Sequence, residues 1–302
     1  MKELVIISGK GGTGKTSLTA AFASLCNNIV LCDADVDAAD LHLLVNPNIL
    51  SRTDFMGGGQ AVIHSEKCTH CGLCKELCRF HAIKENSASD SFEVDSIACE
   101  GCGVCVDFCP EKAIDFQIKT CGQWYISETR FGTMVHAQLG IAEENSGKLV
   151  TLVRKEARKI AEAKQADLII TDGPPGVGCP VIASIGGATA ILIVAEPTVS
   201  GLHDMERAIQ LALHFRVPGM VCVNKYDLNP DKTNEIVDIA TKNGMQMIGK
   251  IPFDPIFTQA MICAKTIIEY TTQETSTLSK IIKDIWDNIL STIEIIRKKS
   301  SY

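Results

Sequence analysis

The segment that most restricts the fold is a glycine-rich loop that follows a short apolar run near the start of the chain. Residues 4–7 of that run are continuously apolar, as in a strand buried on both faces of a parallel sheet. The loop has the pattern G-x-x-x-x-G-K-[ST] and reads Gly9-Lys10-Gly11-Gly12-Thr13-Gly14-Lys15-Thr16. Glycines at these spacings let backbone N–H groups curl around phosphate oxygens at the start of a helix. The sequence therefore predicts a nucleotide phosphate site here.

The remaining chain alternates short apolar runs with helical stretches. Further strands are predicted at residues 29–32, 168–171, 190–195, 220–223 and 247–251, and a possible hairpin strand at 124–128. Helices are predicted at residues 15–26, 148–164, 201–215 and 232–243. This alternation indicates an α/β fold with a mostly parallel, doubly wound sheet and helices on both faces.

Two copies of one cysteine pattern interrupt this alternation. The pattern C-x₂-C-x₂-C-x₃-C is typical of bacterial ferredoxins, in which the fourth cysteine of each run ligates the other 4Fe–4S cluster. One cluster is therefore predicted on Cys68, Cys71, Cys74 and Cys109. The other is predicted on Cys99, Cys102, Cys105 and Cys78. Zinc is the alternative, although zinc sites usually pair two C-x₂₋₄-C knuckles. One departure from the pattern is Arg79, which stands where a proline would follow Cys78.

The cysteine repeat indicates a module inserted into the α/β array. We expect a bacterial-ferredoxin-like domain at residues 61–118 and a nucleotide-binding domain formed by residues 1–60 and 119–302. Three consecutive glycines, residues 57–59, are predicted to be the hinge into the module.

A second lysine in the loop, Lys10, makes the motif resemble the deviant Walker A sequence of the MinD/ParA/Mrp superfamily of P-loop ATPases. The resemblance implies a MinD-like P-loop NTPase sheet, and it covers nearly the whole chain, including residues 143–148 and 196–204. It also implies an ATP-dependent homodimer in which Lys10 reaches the partner's nucleotide. A solvated loop lysine is the plainer alternative.

Further site residues follow from the motif and the resemblance. Lys15 is expected on the β- and γ-phosphates, and Ser17 belongs to the phosphate-binding segment. Thr16 and Asp172 are expected to hold Mg²⁺, and Asp35 is expected to position the attacking water. Asn224 and Pro252 are expected to contact the adenine base of the nucleotide. The cofactors are then ATP or ADP, Mg²⁺ and two 4Fe–4S clusters, with Lys10, Lys15 and Asp35 carrying hydrolysis.

Composition limits the partners and the compartment. The net charge of −7 argues against a nucleic-acid groove, and the fourteen cysteines favour a reducing cytoplasm in which they bind metal. We identify neither a signal peptide nor an apolar run long enough to span a bilayer. The apolar residues of the tail, 278–299, are helically spaced, which fits either a last helix packed on the sheet or a membrane-surface helix.

Three function classes remain open. The first is ATP-gated electron transfer through the clusters to a redox protein. The second is an iron–sulfur carrier or scaffold, as Mrp-like relatives suggest, although fully ligated clusters are hard to give away. The third is a MinD-like spatial organiser on a membrane, which needs an exposed tail helix. Cys179 lies at the offset from Asp172 at which the nitrogenase iron protein has a cluster-ligating cysteine, but a packing residue is the alternative.

Overall fold

The computed structural model describes residues 1–86, 91–140, 146–271 and 276–300. The chain divides into two compact units. The first contains Met1–Arg52, Trp124–Gln138 and Ser146–Tyr302. The second contains Thr53–Gln123 and Leu139–Asn145, so it includes the predicted insertion and a further stretch on either side.

The described strands alternate with helices through most of the chain. The strands are β1 (Glu3–Ser8), β2 (Ile29–Asp33), β3 (Asn48–Ile63), β4 (Ile83–Asn86), β5 (Ser91–Val94), β6 (Ile114–Thr129), β7 (Gly132–Leu139), β8 (Leu168–Pro175), β9 (Ala190–Ala195), β10 (Gly219–Asn224) and β11 (Gln246–Ile251). The helices are α1 (Lys15–Ala23), α2 (Leu41–Val45), α3 (Leu73–Leu77), α4 (Val104–Asp107), α5 (Ser146–Ala163), α6 (Cys179–Ile185), α7 (Val199–His214), α8 (Pro230–Lys242), α9 (Ile256–Ile262), α10 (Ile267–Tyr270) and α11 (Thr277–Ser300).

The main sheet is mostly parallel, as predicted. Its strand order is β11-β10-β9-β1-β8-β2-β7-β6-β3. β1 pairs in parallel with β8 and β9, β2 with β7 and β8, and β10 with β9 and β11. The short β6–β7 connection makes that pair an antiparallel hairpin. β1 therefore lies inside the sheet, and the loop after it opens at the carboxyl edge of the parallel strands.

Each face of the sheet carries its own apolar core. Side chains of successive strand residues point to opposite faces. Leu4 and Ile6 accordingly pack with α1 and α11 on one face, and Val5 and Ile7 pack with α6, α7 and α8 on the other. Burial on both faces explains why the sequence of this strand is continuously apolar.

The glycines at residues 57–59, predicted to be a hinge, instead lie inside the strand β3. A Cβ on Gly59 would lie 1.9 Å from the Phe116 ring, and a Cβ on Gly57 would lie 2.0 Å from the Phe55 ring. Glycine is needed there because neighbouring aromatic rings occupy the side-chain space.

The tail forms α11, which packs on the sheet. Its apolar stripe is buried at Ile282, Ile285, Trp286, Ile289 and Ile293. The Trp286 ring stacks on Phe22 of α1 with ring centroids 5.1 Å apart. The core-helix interpretation of the tail is therefore correct for this stripe. None of the helices in the described ranges has the length and apolar character needed to cross a membrane.

Candidate functional site

The glycine loop connects β1 to α1 and leaves the backbone in conformations that side chains disfavour. Gly12 and Gly14 have φ angles of +79° and +88°. A Cβ on Gly14 would also lie 2.4 Å from the side-chain nitrogen of Asn224. The G-x-x-x-x-G-K-[ST] pattern thus reflects both backbone handedness and the close approach of β10.

Lys15 and Thr16, the first residues of α1, converge on Asp172 of β8. The Lys15 Nζ lies 3.0 Å from Asp172 Oδ1, and the Thr16 hydroxyl donates to Asp172 Oδ2 at 2.7 Å. Both Lys15 and Asp172 are buried. A lysine, a hydroxyl and a carboxylate held together at a helix start are the groups that a Mg²⁺–nucleotide complex requires.

Thr19, which the sequence reasoning missed, completes the setting of Asp172. Its buried hydroxyl lies 2.9 Å from Asp172 Oδ1 and 3.0 Å from the carbonyl oxygen of Lys15. This contact orients the carboxylate whose other oxygen accepts from Thr16. Its sequence signal is weak, since a threonine one turn into a helix has no distinctive spacing.

Two further aspartates lie at the carboxyl end of β2: Asp33 is its last residue and Asp35 follows it. Asp35 Oδ2 lies 3.5 Å from Lys15 Nζ, so both predicted catalytic groups lie in one place. Asp33, by contrast, accepts from the backbone N–H groups of Asp35 and Leu41. Asp33 therefore holds the loop, while Asp35 faces the lysine.

Burial dominates the electrostatics of this acidic cluster. It raises the pKa of Asp35 to about 6, against the opposing attraction of Lys15. The pKa of Asp33 is also raised, by burial and by the charge of Asp172. Burial alone would lower the pKa of Lys15, but Asp172, Asp35 and Asp33 together raise it. The lysine is thus held in its charged form.

These residues open into a cavity of about 1040 Å³, open mouth included. Its lining comes from the glycine loop, Lys15, Thr16, Ser17 and Asp35, with apolar side chains on the far wall. The Thr13 hydroxyl is buried without a hydrogen-bond partner among the described atoms, which leaves a donor available for a ligand. Size, charge and polar lining fit a nucleotide with its metal.

The two residues predicted at the base lie outside this lining. Asn224 Nδ2 donates to the carbonyl oxygen of Thr13 at 2.8 Å, and its Oδ1 accepts from the backbone of Lys225. Asn224 therefore braces the loop, and its contact with the base, like that of Pro252, stays a prediction.

Lys10 is held within its own chain. Its Nζ lies 3.2 Å from Glu196 Oε2, 3.2 Å from Thr198 Oγ1 and 3.2 Å from Ser200 Oγ. Glu196 also accepts from Lys225 at 2.9 Å, and these lysines lower the pKa of its carboxyl against the effect of burial. The sequence indicated residues 196–204 only through the family resemblance. The contact with Lys10 shows what three of these residues do. Of residues 143–148, residues 143–145 lie outside the described ones.

The eight cysteines of the repeat line two cavities in the second unit. Each cavity has about 350–390 Å³ of space, open mouth included. The lining of the first includes Cys68, Cys71, Cys74 and Cys109. The lining of the second includes Cys78, Cys99, Cys102 and Cys105. The groups match the sets that the exchange of fourth cysteines predicts.

The two halves of this unit repeat at the level of the backbone. Gly72 and Gly103, equivalent in the repeat, have φ angles of +76° and +77° and precede α3 and α4. The backbone N–H of Ala82 donates to the sulfur of Cys78 at 3.4 Å, and that of Ala113 donates to Cys109 at 3.3 Å.

Donation to sulfur suits a thiolate that holds a metal. Among the described residues, however, no three histidine, cysteine or acidic side chains lie close enough to hold a metal ion. The cluster ligation therefore stays a prediction.

No disulfide joins any of the fourteen cysteines, all of which lie in the described ranges. Burial, together with the nearby Cys99 and Cys102, raises the pKa of Cys105 to about 11. Outside the repeat, Cys32 and Cys222 are buried and Cys26 is half-buried, whereas Cys263, at the end of α9, is exposed. Cys179 begins α6 and is also exposed.

Comparison with known proteins establishes the family of the nucleotide site. Residues 4–267 match the model of the CobQ/CobB/MinD/ParA nucleotide binding domain. The chain belongs to this family. Two uncharacterized proteins of Methanocaldococcus jannaschii are 33% and 26% identical to it, over 75% and 76% of this chain and 79% and 83% of theirs.

Solved structures confirm the fold of this family member. The septum site-determining protein MinD of Pyrococcus horikoshii, complexed with Mg-ADP, superimposes with a TM-score of 0.58 at 15% identity, covering 98% of each chain. MinD from the MinC–MinD complex of Aquifex aeolicus superimposes with a TM-score of 0.57 at 20% identity, covering 96% of each chain. An ATP complex of a McdA variant from Cyanothece gives 0.52 at 17% identity, also covering 96% of each. At these identities the likeness concerns the fold.

Proposed function

We propose that the protein is a Mg²⁺-dependent ATPase of the MinD type that works as a nucleotide-controlled dimer and holds two 4Fe–4S clusters. The observation that carries the ATPase part is the convergence of Lys15, Thr16 and Asp172 at the start of α1. MinD of P. horikoshii was solved with Mg-ADP, which supports the same ligand here.

Apart from the lysine expected from a second copy, the chain's own residues would provide the positioning that phosphoryl transfer needs. Backbone N–H groups of the loop bind the phosphates, and Lys15 neutralises charge at the outer ones. Thr16 and Asp172 would hold Mg²⁺, which supplies further charge neutralisation when bound. Asp35 lies beside Lys15, and its carboxylate would orient a water molecule.

The cluster part rests on the cysteine repeat and its surroundings. Two thiol sets line separate cavities, their backbones repeat, and N–H groups donate to the two sulfurs that the repeat assigns to the opposite cluster. Thiolates in this arrangement suit an iron–sulfur cluster, which would supply one-electron redox chemistry.

The comparisons favour the MinD-like class over electron transfer, because the matches concern the nucleotide-binding domain and MinD folds. A membrane role through the tail is a separate matter. The apolar stripe of α11 is buried against the sheet, so this stripe offers no face to a lipid surface. We therefore propose that the protein resembles MinD in its ATP-controlled dimer and not in membrane binding through this stripe. Electron transfer is the second candidate, favoured by the cysteine cavities.

Substitution of the loop lysine and of Asp35 tests the ATPase proposal. Lys15→Ala is expected to abolish ATP binding, because it removes the cation at the phosphates. Asp35→Ala should leave ATP bound but lower turnover by at least about a hundredfold, the scale of a lost acid–base or water-positioning group. The measurements are nucleotide binding by calorimetry and phosphate release. Normal hydrolysis by Asp35→Ala would contradict the role of Asp35 and make Asp33 or Asp37 the candidate.

Metal analysis tests the cluster proposal. Protein purified without oxygen should contain about eight iron and eight sulfide per chain, the sum of two 4Fe–4S clusters. Cys71→Ser is expected to remove about half of the iron, whereas the exposed Cys263→Ser control should keep all of it. Zinc in place of iron, or only four iron atoms per wild-type chain, would rule out two clusters.

A further inference from the structure

The Lys10 ammonium is fully occupied inside its own chain. A lysine ammonium has three N–H donors. Three acceptors surround it at 3.2 Å each: the Glu196 carboxylate and the hydroxyls of Thr198 and Ser200. Although the Lys10 side chain is 31% exposed, its donors are satisfied without nucleotide or partner.

The three acceptors stand on rigid elements, and we call them the Lys10 cradle. Glu196 directly follows β9, and Thr198 caps the start of α7 by accepting from the backbone N–H of Gly201 at 2.9 Å. Lys225 at the end of β10 also holds Glu196. The cradle therefore stays in place when Lys10 leaves, and Glu196 keeps a second cation.

We propose that the Lys10 cradle stabilises the monomer by keeping the lysine bound within its own chain. The inference rests on the proposed function, in which Lys10 reaches the nucleotide of a second copy of the chain. Dimer formation must then exchange the cradle for the partner's phosphates. Only molecules whose Lys10 has left the cradle can then form the dimer. The smaller the fraction of such molecules, the weaker the measured dimer affinity. Glu196 is a positioning residue in this process.

The dimerisation experiment compares full-length wild type with Glu196→Gln in β,γ-imido-ATP and Mg²⁺. Sedimentation velocity gives the dimer dissociation constant. Glu196→Gln should lower this constant by about five- to tenfold, because a charged hydrogen bond that favours the monomer is lost. Ser200→Ala, which removes one neutral acceptor, should act in the same direction but less. Lys10→Ala should abolish the nucleotide-dependent dimer.

Glu235→Gln is the matched control. It removes the same charge from an ion pair with Lys232 on α8, which is 2.7 Å long. It is expected to leave the dissociation constant unchanged. An unchanged or weakened dimer in Glu196→Gln, with wild type dimerising, would overturn the cradle.

Amine labelling gives a measurement that does not depend on dimerisation. Nucleotide-free protein is acetylated and the extent at each lysine is followed by mass spectrometry. Lys10 should react several-fold faster in Glu196→Gln than in wild type, whereas Glu235→Gln should accelerate Lys232 alone. Equal Lys10 rates in wild type and Glu196→Gln would refute the cradle. Faster Lys10 labelling in a protein that stays monomeric with nucleotide would show that Glu196 holds Lys10, but it would refute the dimer of the proposed function and with it the role of the cradle in dimerisation.

Discussion

At the scale of single residues, the nucleotide site buries several charged side chains close together, although burying charge is unfavourable for folding. Asp33 and Asp172 are fully buried and Asp35 nearly so, with Lys15 among them. Burial raises the pKa of Asp35 to about 6, which means that the ionised form is less favourable in the folded chain than in the unfolded chain. The site therefore lowers stability in exchange for a carboxylate placed beside Lys15.

Asp35→Asn is expected to stabilise the protein at pH 8. Because the folded pKa is raised, the contribution of Asp35 to stability is present below about pH 4 and is lost as the pH rises through about 6. The asparagine amide cannot ionise, so Asp35→Asn avoids this loss of stability. Allowing for solvent screening, we expect a gain of about 1–2 kcal/mol in the free energy of unfolding at pH 8 and little gain at pH 4.

Urea denaturation at both pH values measures this effect. Asp287→Asn, an exposed position on α11, is the control for loss of one negative charge. A gain for Asp35→Asn that is the same at pH 4 and pH 8 would contradict the assignment to ionisation of this carboxyl.

At the scale of elements, α11 illustrates how packing resolves an ambiguous apolar pattern. The same helical spacing fits a sheet-packed helix and a membrane-surface helix. Helix α1, on the same face of the sheet, supplies Phe22, on which Trp286 stacks, and Gly249 of β11 leaves room for Ile285. A Cβ at Gly249 would lie 2.4 Å from that isoleucine, so the strand and the helix are fitted to each other.

Trp286→Ala should destabilise the first unit by about 3–5 kcal/mol, since it leaves a cavity in the core. Leu290→Ala, one turn further along α11 and 39% exposed, should cost less than about 1 kcal/mol. Thermal unfolding followed by circular dichroism compares the two. Equal, small effects would indicate that α11 is not part of the core.

At the scale of the whole molecule, the two units differ in how much apolar material stabilises them. In the first, two layers of side chains bury both faces of a parallel sheet. The described core of the second is small: Phe55, Ala61, Ala82, Ile83, Ala113, Ile114 and Cys121. Its helices α3 and α4 have five and four residues. Units with such cores usually rely on bound metal or cross-links, which agrees with the proposed clusters.

The sequence was enough to predict the α/β class, the loop after β1 and the main parallel strands. These features follow from local chemistry: continuous apolar runs require burial on two faces, and a glycine–lysine loop requires a helix behind it. It also predicted two sets of four cysteines, because in ferredoxins with this repeat the fourth cysteine of each run ligates the other cluster.

Tertiary structure decided the features that depend on distant residues. Lys10 and its cradle are about 190 positions apart in the chain, and Asn224 braces a loop more than 200 positions away. The glycines in β3 are needed because aromatic rings occupy their side-chain space. The tail helix packs as a core helix because a face of the sheet covers its apolar stripe. No local pattern encodes these contacts, since each depends on which elements the sheet order brings together.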